Sequence, residues 1–176
     1  IKAGEDLISQ GITSIQADDF NMSTQYELVI QAYTELAREK KLPVRVYQQC
    51  LFYTVKDLEA FMTKSYDVSG TNEFYKIGPV KLLADGSLGA RSAYLSQPYN
   101  DAPDTCGIPV HNQETLDTMV EIAHKNGYSV AIHCIGDKTT YMAMESIRKS
   151  VKNYPGNNFR DGIVHCQISD QTVLDM

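Results

Sequence analysis

The chain has 176 residues, 43% of them hydrophobic, enough to bury a core and too apolar for a disordered or low-complexity polypeptide. A formal net charge of −6 argues against a nucleic-acid partner, which would want a basic face. No stretch approaches the roughly 20 apolar residues of a membrane span, and no basic-then-apolar leader opens the chain.

The elements alternate from the start. A helical stretch ending at Gly11 precedes a strand, Ile12-Thr13-Ser14-Ile15-Gln16. Thr24 with Glu27 resembles a capping box, and Val29, Ala32, Tyr33 and Leu36 follow as a one-sided apolar stripe. Val44 to Cys50 reads as the next strand and Val55 to about Lys64 as a short helix. A strand over 78–85 leads into a long polar connection through about Pro109. Leu116, Met119, Val120 and Ala123 lie at helical spacing, with Gly127 placed to end that helix. A strand around His133, a helix capped by Asp137, a turn at Tyr154-Pro155-Gly156-Asn157 and a strand around His165 follow. Ser169 or Asp170 caps a last helix.

Five strands in strict alternation with helices predict a parallel sheet. Its two large architectures are an eightfold β/α barrel and an open doubly wound sheet. A full barrel needs about 250 residues. The chain opens on Ile1 and begins and ends in mid-pattern, so the expectation is an α/β partial TIM barrel, one catalytic domain over 1–176 within a longer protein. The four cysteines form no Cys-x-x-Cys pair; Cys50, Cys134 and Cys166 lie in apolar runs. Reduced thiols and a cytoplasmic location are expected.

Three strands each carry one potential ligand at an equivalent place: Lys81, His133 and His165. A polar side chain in an apolar strand is costly unless satisfied, and three on successive parallel strands converge where α/β proteins place their sites. Imidazole suits zinc and similar ions. An ammonium repels a metal, so Lys81 serves only when deprotonated or carbamylated by carbon dioxide. Taken singly, each residue has a plainer reading as a hydrogen-bonded core histidine or a lysine reaching for water.

The runs Val80-Lys81-Leu82-Leu83-Ala84-Asp85-Gly86-Ser87-Leu88-Gly89-Ala90-Arg91, Ala131-Ile132-His133-Cys134-Ile135-Gly136-Asp137 and Ile163-Val164-His165-Cys166-Gln167 resemble the YtcJ-type, or amidohydrolase 3, branch of the metal-dependent amidohydrolases. The likeness extends along essentially the whole chain, including Gly11-Ile12-Thr13-Ser14-Ile15 and Pro98-Tyr99-Asn100-Asp101. It implies a barrel whose site takes a His-x-His pair from strand 1, a carboxylated lysine from strand 4, one histidine each from strands 5 and 6, and an aspartate from strand 8. Lys81, His133 and His165 match the middle three, so the chain would span strands 2 to 6. The His-x-His pair and the late aspartate have no counterpart, and Val164 stands where many relatives have Glu.

The resemblance therefore implies hydrolysis of a non-peptide amide or cyclic amide with one or two divalent ions, zinc expected, by the longer protein, the fragment itself being inert. Asp85 and Arg91 are candidate substrate contacts, against plainer readings as a turn residue and a surface ion pair. Asp137 is a helix cap or a site residue. The Gly86–Arg91 run lacks the spacing of a phosphate cradle. His111 and His124 are expected to be solvated. Two other functions fit the bare pattern: a Schiff-base enzyme with Lys81 as nucleophile, and a non-catalytic regulatory barrel. A small-molecule substrate is the expected partner, and open sheet edges predict homo-oligomers.

Overall fold

The computed structural model describes residues 1–22, 25–68 and 72–176. Among them run α1 (Lys2–Ser9), β1 (Ser14–Ala17), α2 (Tyr26–Arg38), β2 (Arg45–Leu51), α3 (Val55–Met62), β3 (Tyr75–Leu83), α4 (Gln113–Lys125), β4 (Val130–Cys134), α5 (Asp137–Asn153), β5 (Gly162–His165) and α6 (Gln171–Leu174). The strands pair in chain order and every pairing is parallel. The sheet curls into part of a β/α barrel with its helices outside.

Alternation sorts each strand into two faces. Val46, Cys50, Val80, Leu82, Val130, Ile132 and Cys134 face the helices and are at most 3% exposed. Leu58 and Phe61 of α3 and Leu116, Met119, Val120 and Ala123 of α4 close that layer, all fully buried. Each of the larger apolar side chains among these contributes about 1.5–3 kcal/mol. Phe61 also centres an aromatic group with Phe20, Tyr26, Phe52, Tyr66 and Tyr128, at centroid distances of 4.9–6.2 Å. Tyr47, Lys81, Ala131, His133 and Val164 take the opposite, lumen-facing side.

One irregularity governs that sorting. Tyr47 pairs with Lys76 and Gln48 with Ile77, but Cys50 pairs with Val80 and Leu51 with Lys81. Strand β3 thus carries one extra residue, a bulge at Gly78-Pro79. A Cβ on Gly78 would lie 2.7 Å from the Gln48 carbonyl and 2.8 Å from the Tyr47 ring, so glycine is required there. Pro79, with no N–H to give a ladder, is tolerated at a bulge. For the same reason β3 begins at Tyr75, earlier than the sequence indicates: Gly-Pro reads as a strand start but lies inside one.

Two further differences are local. The α2 stripe is centred on Ile30 and Ala37, with Val29, Tyr33 and Leu36 half-buried beside them and Ala32 exposed. Thr24, the expected cap, lies outside the described residues, and Gln25 at the N-cap makes no side-chain cap bond. The cap of α5 is Gly136, not Asp137. Asp170, one of the two residues expected to cap the last helix, caps α6 through its side chain; Thr54 and Asn112, not singled out from the sequence, do the same for α3 and α4.

Candidate metal centre

The β3 bulge points Lys81 into the lumen, where it is only 6% exposed. Burial pulls its ammonium below the usual lysine range, and the charge of Asp18 opposes that shift. Asp18 follows the last residue of β1 at the same end of the sheet. Burial in turn raises its carboxyl, partly offset by Lys81.

His133 shares the lumen face of β4. Its Nε2 lies 2.9 Å from the Gly86 carbonyl oxygen and 3.5 Å from Asp85 Oδ1. Because a carbonyl can only accept, Nε2 carries the proton in that bond, and Nδ1 is the nitrogen left to act as a ligand. His165 pairs with Cys134, so alternation alone would turn it toward the helices. Its left-handed backbone, φ 75°, ends the strand, and its ring stands edge-on to that of His133, centroids 4.7 Å apart. Its imidazole is held below the usual range by desolvation and by the charges of His133 and Lys81, with Asp85 opposing.

The two candidate substrate contacts are otherwise engaged. The Asp85 carboxylate is wholly buried and accepts from Ile135 N at 3.0 Å, Gly136 N at 2.8 Å, Tyr94 N at 3.0 Å and Thr139 Oγ1 at 2.6 Å. It faces backbone donors, not open space. Arg91 makes an exposed two-pronged pair with Asp101, Nη2–Oδ2 2.7 Å and Nε–Oδ1 3.3 Å. Asp137 accepts from Ser96 N at 2.9 Å and from the Ser96 hydroxyl, fastening the long 84–112 connection to the start of α5.

Of the other two histidines, expected to be solvated, one is fully buried and one is half-buried. His124 is 1% exposed, with Nδ1 2.9 Å from Ser150 Oγ, Nε2 3.1 Å from Asp161 Oδ1 and its ring stacked on Phe159. Its position continues the apolar stripe one turn past Val120, which carries it inward. His111 is half-buried with Nε2 enclosed and unpartnered, and desolvation lowers its pKa. A cavity of about 600 Å³, lined by Tyr47, Pro79, Tyr128 and Phe159 among others, opens at the amino-terminal end of the strands, away from this cluster.

Among the described residues no three His, Cys, Asp or Glu side chains gather into a ready cation site. The donor set fits a divalent ion only when Lys81 supplies an oxygen ligand, as its carbamate would. Burial of the amine favours the neutral form from which a carbamate is made.

The model of the amidohydrolase family, Amidohydro_3, matches residues 2–176. The chain belongs to the amidohydrolase family. Within reach of it is YtcJ of Bacillus subtilis (strain 168), a protein carrying an amidohydrolase name, 30% identical over 97% of this chain and 31% of that protein. Protein LONG AFTER FAR-RED 3 of Arabidopsis thaliana is 33% identical over 73% of the chain and 22% of its own length. The exoenzymes regulatory protein AepA of Pectobacterium carotovorum is 28% identical over 84% and 31%. This chain therefore spans a third or less of the relatives it matches. Among solved structures, an uncharacterized metal-dependent hydrolase from Pyrococcus horikoshii OT3 superposes with a TM-score of 0.77 at 29% identity, covering 98% of this chain and 32% of that one. A second, from Pyrococcus furiosus, gives 0.74 at 28%, covering 99% and 34%. Membership of this family implies a divalent metal. No helix among the described residues is long and apolar enough to cross a membrane.

Proposed function

We propose that this chain supplies the middle strands of a metal-dependent hydrolase acting on a non-peptide C–N bond, an amide or cyclic amide. The observation that carries the reading is the placement of Lys81 and His133 on one lumen face, with the His165 ring brought against His133 by its left-handed backbone. Lys81, His133 and His165 would hold one or two ions, zinc foremost. Bound there, such an ion supplies an activated water and polarises the scissile carbonyl.

The chain's own residues prepare the site. The neutral Lys81 amine attacks carbon dioxide; a C–N bond forms, the amine proton leaves to solvent, and a carbamate remains. Burial drives the first requirement by disfavouring the ammonium. Gly86 holds the His133 Nε2 proton, so Nδ1 is the nitrogen presented. Lys81 itself is only 6% exposed, which limits water at its amine. A late aspartate would complete proton handling, so residues 1–176 alone are expected to be inactive. A cytoplasmic location accompanies this reading.

Similarity to the exoenzymes regulatory protein AepA favours a second one, a barrel that regulates without catalysis. Elemental analysis of the full-length protein, purified with bicarbonate, beside its Lys81→Ala variant separates the two. One or two equivalents of metal, falling in the variant, are expected. No metal in either would end the hydrolase reading; a borohydride-trapped adduct on Lys81 would then favour a Schiff base.

A further inference from the structure

The geometry points to Asp85 as the positioning residue of this centre, a role that rests on the hydrolase reading. Its carboxylate leaves the end of β3, the strand of Lys81, and sits on the amino end of α5 just beyond His133. Helix α5 begins at Gly136, which makes no side-chain cap bond. Asp85 takes that place from another strand, gathering the N–H groups of Ile135 and Gly136 and the Thr139 hydroxyl. The Tyr94 N–H, from the long connection, completes the set.

This arrangement reaches all three ligand-bearing strands. The Ile135–Gly136 peptide donates through Gly136 N to Asp85 at 2.8 Å on one side and accepts at the Ile135 carbonyl from Ile168 N at 2.9 Å on the other, just past His165. One carboxylate and one peptide thus join the ends of β3, β4 and β5. Gly86, the next residue, is held in the same turn and accepts the His133 proton. Asp85 Oδ1 stands 3.5 Å from that same nitrogen. Asp85 therefore fixes both the spacing of the strand ends and the tautomer of His133.

The test measures zinc affinity of the full-length protein by chelator competition, with bicarbonate, for the wild type, Asp85→Asn and Asp161→Asn. The amide keeps the shape but accepts through one oxygen only. Asp85→Asn is expected to bind zinc 10–100-fold more weakly. Asp161→Asn, at the opposite end of the strands, should lose thermal stability and keep its zinc affinity. Unchanged affinity in Asp85→Asn overturns the proposal. Should that variant not fold, Thr139→Val removes a single donor; a several-fold loss supports the role and no loss overturns it. Nitrogen-15 histidine spectra of zinc-free protein give a readout independent of metal. His133 is expected as the Nε2–H form in wild type and as a mixture in Asp85→Asn. If the wild type binds no zinc the hydrolase reading fails, and the spectra alone decide: an unaltered His133 signal in Asp85→Asn overturns the positioning role.

Discussion

His124 shows how one side chain is fixed by partners far along the chain. Both ring nitrogens meet oxygen, from Ser150 and Asp161, and Asp161 Oδ1 also accepts the Val130 N–H at 2.9 Å. His124→Leu takes one partner each from the buried Ser150 and Asp161, which keep Glu121 and Val130, and a loss of about 1–2 kcal/mol in chemical denaturation is expected. Glycines divide in the same way. A Cβ on Gly136 would fall 2.0 Å from the Tyr94 carbonyl, whereas Gly127, at φ 79°, has nothing within 4 Å. Gly127→Ala is expected to cost about 1 kcal/mol from backbone strain. Gly136→Ala must displace the loop and should cost about 1–3 kcal/mol, with a change in near-ultraviolet dichroism that Gly127→Ala lacks. At this scale the sequence was a partial guide. The period of α4 carries His124 inward, but Asp161 comes from a turn whose approach no spacing reveals. Asp18 did leave a signal, a carboxylate immediately after a strand at the same end as the three candidate ligands.

The helices were the most legible elements, because apolar period and end signals act within a few residues. What joins helix to helix was not legible. Between α4 and α5 runs a polar seam. Asp117 accepts from Gln113, Ser146 and Lys149 at 2.6–2.7 Å. Glu121 accepts from Ser150, Asn153 and Tyr154. Burial alone would push both carboxyls up; the hydrogen bonds outweigh it and hold both below their usual ranges. In the unfolded chain both return to ordinary values near 4. As pH falls from there toward the depressed native values, the unfolded chain binds more protons and stability drops. Acid titration of the melting temperature should therefore fall more steeply below about pH 4.5 in the wild type than in Asp117→Asn. Parallel curves would remove the seam from the account of acid sensitivity. The long connection over 84–112 was legible only as a loop: its order comes from Asp85, Asp137 and Gly136, contacts the local sequence does not announce.

At the scale of the molecule, alternation of strand and helix gave the parallel sheet and left a barrel and an open doubly wound sheet as alternatives; the expected partial barrel is the one found. Pairing in chain order leaves β1 and β5 each with one unpaired side. Such edges template association. Residues 1–176 expressed alone are expected to self-associate, and a monodisperse monomer in light scattering would refute that. The position of Lys81 is the deepest consequence of the β3 bulge. Along a regular strand, parity is a clock, and Gly78-Pro79 advances it by one beat. Run regularly through the same residues, the strand would send Lys81 toward the helices and Leu82 into the lumen; deleting Pro79 would instead remove the extra residue and leave Lys81 opposite Leu51 on the lumen side. Loss of the bulge alone, with every residue kept, would unmake the centre without altering one ligand's identity. Chemistry in this barrel is written in the phase of a strand as much as in its residues.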